Sequence, residues 1–408
     1  MTATTGFFIR PASLATALTL ALTAPNAGAD QALLIRAARI FDGYTVHTHA
    51  AVRIEQGRIA KLDSAEAVPA DGAKVLELGD ATLLPGLIEL HAHLTYRQVP
   101  ADTVLSHGIT TVRDVGGPLH PPYGGDGHLR LMTSGPIITA PAGYPIPSLG
   151  EADIAIPVGD EQQARATVRE LVAGGAVVIK VALEPGGEAG APWSNHHAHA
   201  HGHAHPPGKP HSAPEKSWPM LPPNVVKAIV TEAHALNRKV TAHLAEPHGA
   251  QIALEAGVDE WAHTPCDELP EAQLRRAVAQ GVKMVSTIDT LAQCAGVSKN
   301  VGRFAALGGE LLYGAEIAHP DIPWGIDAQE LLYLRHLAGM DALEVLRTAT
   351  SKAGLHLNQA LLGSLMPGAP ADLIAVRGDP TENLKLLEYP DLVISGGKLV
   401  VDRFSDAR

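Results

Sequence analysis

Between residues 81 and 316 the chain repeats one alternation: a short apolar segment rich in β-branched residues, then a stretch with helical spacing. Eight segments read as strands, namely Ala81–Leu94, Thr110–Gly116, Pro136–Ala140, Ala176–Leu183, Val240–Ala245, Glu260–Thr264, Lys283–Ile288 and Glu310–Glu316. Between them, Glu161–Ala173 reads as an amphipathic helix ended by Gly174-Gly175. Pro223–Leu236 and Pro247–Ala256 each open on Pro and close on Asn or Gly, as helices do. Strands joined by helices pair in parallel, and eight of them predict a (β/α)8 barrel. A doubly wound open sheet is the alternative, and the lack of a Gly-rich phosphate loop after the first strand weakens it.

Two β-rich arms flank this region. Residues 32–78 contain alternating segments such as Ala51-Val52-Arg53-Ile54-Glu55, and Ala371–Val376 and Leu392–Val400 repeat the pattern near the other end. The expected organisation is one small sheet domain from residues 30–84 and 362–408, around a barrel of residues 85–361; the family resemblance described below implies that the small domain is a β-sandwich. Ahead of both, residues 1–29 carry one charge, Arg10, an apolar run from Leu14 to Leu22 and the small-residue site Ala27-Gly28-Ala29. That is the pattern of a secretory signal peptide, too short to span a bilayer, which needs ~20 residues. The expected location is therefore periplasmic or secreted, with no membrane insertion of the mature chain. A net charge of -12 with no cluster of Lys or Arg excludes a nucleic-acid partner.

In a barrel the chemistry gathers where strands finish. The first strand finishes Glu89-Leu90-His91-Ala92-His93, and side chains two apart share a face, so His91 and His93 can grip one cation. The fifth and sixth strands finish at His243 and His263, and the eighth at Glu316. The fourth carries Lys180 inside Val177-Val178-Ile179-Lys180-Val181-Ala182, where an ammonium is costly to bury and must be neutralised or modified. A single His at a strand end is ordinarily structural; four of them with a carboxylate point to metal.

Pro85-Gly86-Leu87-Ile88-Glu89-Leu90-His91-Ala92-His93, the buried Ile179-Lys180-Val181 and the single His on strands five and six resemble the amidohydrolase superfamily. The resemblance is nearest to imidazolonepropionase-like and prolidase-like members, and Gly108–Gly116 and Pro367–Leu373 extend it over the mature chain. It implies two divalent metals, usually zinc. His91 and His93 would hold one, His243 and His263 the other, and a carboxylated Lys180 would bridge them. It implies a hydroxide attacking a C–N bond of an amide, peptide or cyclic amide, with the strand-eight acid moving the proton. Family members usually finish that strand Gly-Thr-Asp, where this chain has Gly314-Ala315-Glu316. Glu316 is the expected catalytic acid–base, with His319 or Asp321 as substitutes. An ester, lactone or phosphotriester substrate suits the same chemistry. A non-catalytic metal-binding protein of the cell envelope is the alternative from another class.

Histidine totals 21 residues, and seven lie between His196 and His211 in a Gly- and Pro-rich insertion at 184–222. Such a tract binds metal by composition alone, as a lid, a metal-collecting arm or incidentally. Tyr144 is a candidate substrate contact, whereas His107, His234 and His356 read as structural. Cys266 and Cys294 follow neighbouring strands; a disulfide is feasible, but two unpaired thiols are the expectation. The partner is a small-molecule or peptide substrate, and a homo-oligomer is left open.

Overall fold

The structure, a computed structural model, describes residues 1–2, 31–185 and 218–405. The expected signal segment, beyond Met1 and Thr2, and the tract His196–His211 lie outside the described residues. The chain divides into two compact units, Met1–Asp30 and Gln31–Arg408, and the fold described is that of the second.

Five strands open it: β1 (Leu33–Phe41), β2 (Val46–Glu55), β3 (Arg58–Ser64), β4 (Lys74–Glu77) and β5 (Ala81–Pro85). There follow β6 (Leu87–Ala92), α1 (Ala101–Ser106), β7 (Ile109–Asp114), β8 (Tyr123–Gly125), β9 (His128–Thr133) and β10 (Ile137–Thr139). Next come α2 (Ile146–Leu149), β11 (Ala155–Pro157), α3 (Glu161–Ala173), β12 (Val178–Ala182), α4 (Pro223–Ala235), β13 (Lys239–His243) and α5 (Pro247–Ala256). The alternation continues with β14 (Glu260–Trp261), α6 (Glu271–Gln280), β15 (Lys283–Val285), α7 (Val297–Ala306) and β16 (Glu310–Leu312). Helices α8 (Ala328–Leu337), α9 (Ala342–Thr348) and α10 (Ser351–His356) lead to β17 (Leu373–Arg377), β18 (Leu392–Ser395) and β19 (Lys398–Asp402).

The central strands form two parallel runs. One is β6-β7-β9, with β8 added antiparallel, and the other is β11-β10-β12-β13-β14-β15-β16. Only Ser134-Gly135-Pro136 separates β9 from β10, and the two halves pair with different neighbours, β7 and β12. Gly135 takes a φ of +67° and Pro136 has no N–H to donate, so the ladder breaks there. The third strand thus begins at His128, earlier than the expected Pro136. At the other side, Ala92 and Ile317 form a parallel bridge, and His93 N–H donates to the Ile317 carbonyl at 2.9 Å.

The expected strand Ala81–Leu94 is two strands. β5 pairs with β1 and β17, and β6 with β7. Gly86 makes the crossing because a Cβ there would lie 2.1 Å from Thr110 Cγ2. Both ends of the described chain build one mixed sheet, in the order β19-β18-β17-β5-β1-β2-β3 with β4 beside β1. Period-two alternation buries both faces of its centre. Leu83, Leu373, Ala375 and Leu392 join the sheet's own apolar cluster, while Leu84, Ile374, Val376 and Val393 join the large cluster shared with the parallel strands.

A buried ion pair ties the two parallel runs together. Arg113 of β7 donates to Glu260 of β14 through both Nη atoms, at 2.9 and 2.6 Å, and through Nε to the Leu90 carbonyl at 2.8 Å. His356 meets the same carboxylate. Burial would raise the Glu260 pKa, but Arg113 and His356 outweigh it and hold the group well below its usual range. Cys266 and Cys294 are joined as a disulfide, which corrects the expectation of free thiols. Adjacent β14 and β15 deliver their loops side by side, and Gly296 N–H donates to the Cys266 carbonyl at 2.8 Å, leaving the two Cα atoms 4.9 Å apart. Among the described residues, no helix is long and apolar enough to cross a membrane.

Candidate active site

His91 is the fifth residue of β6, and His93 follows the strand's end. The intervening backbone is held by Glu89, whose carboxylate accepts His91 N–H at 2.6 Å and Ala315 N–H at 2.9 Å. One acid therefore fixes the first histidine and the segment leading to Glu316. Burial nonetheless pushes the Glu89 pKa up to about 8. Its place as an acid inside the apolar run Leu87–Leu90 is the sequence signal of that role.

Five of the expected residues come together. His91 Nε2 lies 3.1 Å from His93 Nε2 and 3.4 Å from Lys180 Nζ. Glu316 reaches all three neighbouring imidazoles, at 3.7 Å from His93, 4.0 Å from His91 and 3.6 Å from His263. Ligand atoms of His91, His263 and Glu316 all lie within 4.8 Å of one another. Glu316 is not on β16, which stops at Leu312, but in the irregular segment that follows, with φ at +64°. This left-handed backbone, unusual for a residue with a Cβ, aims the longer acid back into the cluster. Asp321 is exposed and His319 half-buried; the latter's N–H donates to the Glu316 carbonyl at 2.9 Å.

His243 stands at the margin. Its Nε2 donates to the Pro185 carbonyl at 2.9 Å, which leaves Nδ1 as the lone-pair nitrogen, and its ring lies 4.7 Å from that of His263. The Tyr144 ring stacks on that of His243 at 4.5 Å. Three further residues went unnoticed in the sequence. Tyr96 stacks on His93 at 4.4 Å. Asp114 is buried at the end of β7, its pKa pushed by burial to about 7. Glu184 turns one carboxylate oxygen to the N–H groups of Ala245, Glu246 and Gly249 at the start of α5.

The donor set fits a cation. The Ala262 carbonyl, 2.7 Å from His91 Nδ1, can only accept, so His91 presents a bare Nε2 lone pair to its neighbours. Burial, reinforced by Lys180 and the adjacent rings, holds His91 and His93 well below the usual imidazole range, and burial with Lys180 lowers His243 to about 3. Burial, with His243 and Lys180, does the same to His263. Burial also lowers Lys180 to about 7, although Glu316 opposes it. Neutral imidazoles, an amine and a carboxylate packed this closely suit a zinc-like ion between them better than they suit one another.

The profile of the amidohydrolase family matches residues 82–400. This chain belongs to that family. Ochratoxinase of Aspergillus niger is 31% identical over 198 residues, a span of 43% of this chain and 41% of the relative. An uncharacterized protein of Mycobacterium tuberculosis is 24% identical over 349 residues, covering 78% of this chain and 84% of that one. Among solved structures, the A. niger ochratoxinase superposes with a TM-score of 0.73 at 22% identity, covering 91% of this chain and 96% of that chain. A Xaa-Pro dipeptidase with bound methionine in its active site gives 0.71 at 22%, covering 90% and 99%. These superpositions establish a TIM-barrel-like α/β fold for this family member.

Proposed function

We propose that this family member is a metal-dependent hydrolase that cleaves C–N bonds in peptides, N-acyl amino acids or cyclic amides. The observation that carries the reading is the buried convergence of His91, His93, Lys180, His263 and Glu316. The ochratoxinase and dipeptidase likenesses support amide and peptide substrates. The parallel strands are read as one closed (β/α)8 barrel, and the mixed sheet as the accompanying β-sandwich of residues 30–84 and 362–408. His91 and His93 would hold one zinc, with Glu316 in reach. His263 and the Nδ1 of His243 would hold a second. Such ions supply a polarised scissile carbonyl and water of lowered pKa.

The chain's own residues do the rest. Held near neutrality, the Lys180 ammonium can lose a proton, and the free amine can then add to carbon dioxide, forming an N–C bond and releasing a second proton; the resulting carbamate would offer its oxygens to both ions. Glu316 takes a proton from the attacking water and returns it to the leaving nitrogen. Tyr144 and Tyr96, stacked beside His243 and His93, wall the approach with aromatic surface. The amino-terminal pattern and the Cys266–Cys294 bond support export to the periplasm or medium.

The experiment is metal analysis paired with a panel of Xaa-Pro dipeptides, N-acyl amino acids and cyclic amides. About two metals per chain are expected, with turnover lost to a chelator and restored by zinc with bicarbonate. Hydrolysis that persists after the chelator strips the metal would overturn the reading.

A further inference from the structure

A second cavity, of about 540 Å3, opens where the mixed sheet meets the start of β12 and the loop after α10. It shares no lining residue with the metal centre, whose side chains project from the finishing ends of the strands; Val177, at its floor, immediately precedes β12. The floor is apolar, with Met132 and Leu362 belonging to one buried cluster and Val177 packed against it. Among the described residues, the charged side chains that line it are Arg58 and Arg130. Arg130 is ion-paired with Asp372 at 3.1 Å, so Arg58 leaves the lining with a positive charge in a chain whose net charge is -12.

Both guanidinium groups are anchored without being used up. Arg58 gives one N–H to the Gly368 carbonyl at 2.8 Å. Arg130 gives one to Asp372 at 3.1 Å, while its Nε is buried with no hydrogen-bond partner. Each fork carries five N–H donors in a rigid plane suited to a carboxylate. Tyr123, 54% exposed, adds an aromatic face at the rim. Volume, apolar floor and two guanidinium forks in one lining are the ingredients of a small-molecule site, in which a few polar groups orient a largely apolar ligand.

We propose that this cavity binds a small carboxylate with an apolar or aromatic body, its anion on Arg58 and Arg130 and its body over Met132 and Val177. Calorimetric titration of the metal-loaded, full-length protein tests it, with phenylacetate, the neutral phenylacetamide and inorganic phosphate as probes. Phenylacetate should bind saturably, and phenylacetamide and phosphate at least tenfold more weakly. Two variants outside the metal centre locate the binding. R58Q removes one fork, and A360W fills the cavity from an exposed loop position. Each should weaken phenylacetate at least tenfold while thermal unfolding stays near that of the parent. No saturable binding, or phosphate binding as tightly as phenylacetate, overturns the proposal. So does binding that survives both variants, because the carboxylate would then sit at the metal centre.

Discussion

The carboxylate of Glu184 accepts the backbone N–H of Glu246 at 2.7 Å, across 61 intervening residues. The same oxygen is 3.2 Å from the N–H groups of Ala245 and Gly249, so it caps the start of α5 from another loop. The carbonyl of the next residue, Pro185, accepts a hydrogen bond from His243 Nε2. Two consecutive residues therefore fix the loop that follows His243 and set which nitrogen His243 presents.

Replacing Glu184 with Ala should unlatch both. The unmade bonds to α5 predict a stability loss of about 1–3 kcal/mol. Loss of an outer partner of a ligand typically weakens metal 10–100-fold, which a competing chelator would measure. Unfolding at the parental midpoint with undiminished metal affinity would remove Glu184 from this role.

Glu316 should trade stability for chemistry. A residue with a Cβ in left-handed backbone costs about 1–2 kcal/mol, less for Asn. E316N should therefore unfold at a higher temperature than the parent when metal is stripped from both. Its turnover should fall at least a hundredfold, the lower range for losing a proton-transfer group. Full activity in E316N would sink the assignment, and a lower melting temperature would refute the backbone argument.

The Arg113–Glu260 pair sets an acid limit. A carboxylate held below its unfolded pKa adds stability above that value, and the contribution is lost as pH falls below it. Unfolded Glu ionises near pH ~4.3, so the parent's urea midpoint should drop on acidification from there downward. E260Q should flatten that dependence, while leaving Arg113 buried and unpaired at a cost of about 3–5 kcal/mol at neutral pH. An equal slope between pH 3 and 6 in both proteins would show that other groups dominate.

Opening the disulfide releases a loop with a sequence separation of 28 residues. Loop-closure entropy then predicts a loss of about 3.5 kcal/mol in the C266S/C294S double variant, read as a shift in denaturant midpoint. An unchanged midpoint would mean that the loops hold each other without the bond.

The site was legible where local rules suffice. His91 and His93 follow from the two-residue period of a strand, and α3 and α5 fall where their Pro, Gly and capping residues place them. What escaped depends on contacts distant in sequence. Glu184 has no meaning until α5 arrives beside it. Strand adjacency made the Cys266–Cys294 bond feasible, but only the folded loops bring the two Cα atoms to 4.9 Å. The division at Gly86 is invisible because Ala81–Leu94 is apolar throughout, and only the different partners of β5 and β6 separate it. Glu316 was found by type and position, but its backbone conformation carries no sequence signature.

β5 sits between β1, made before it, and β17, which leaves the ribosome only after every parallel strand. Until then one flank of β5 offers unpaired N–H and C=O groups, and Leu84 lacks cover from Ile374. A nascent chain in this state carries an open β edge, the feature that promotes intermolecular pairing. Release of a chain cut short before β17 would make that exposure permanent, so premature termination should yield aggregates rather than a smaller working enzyme.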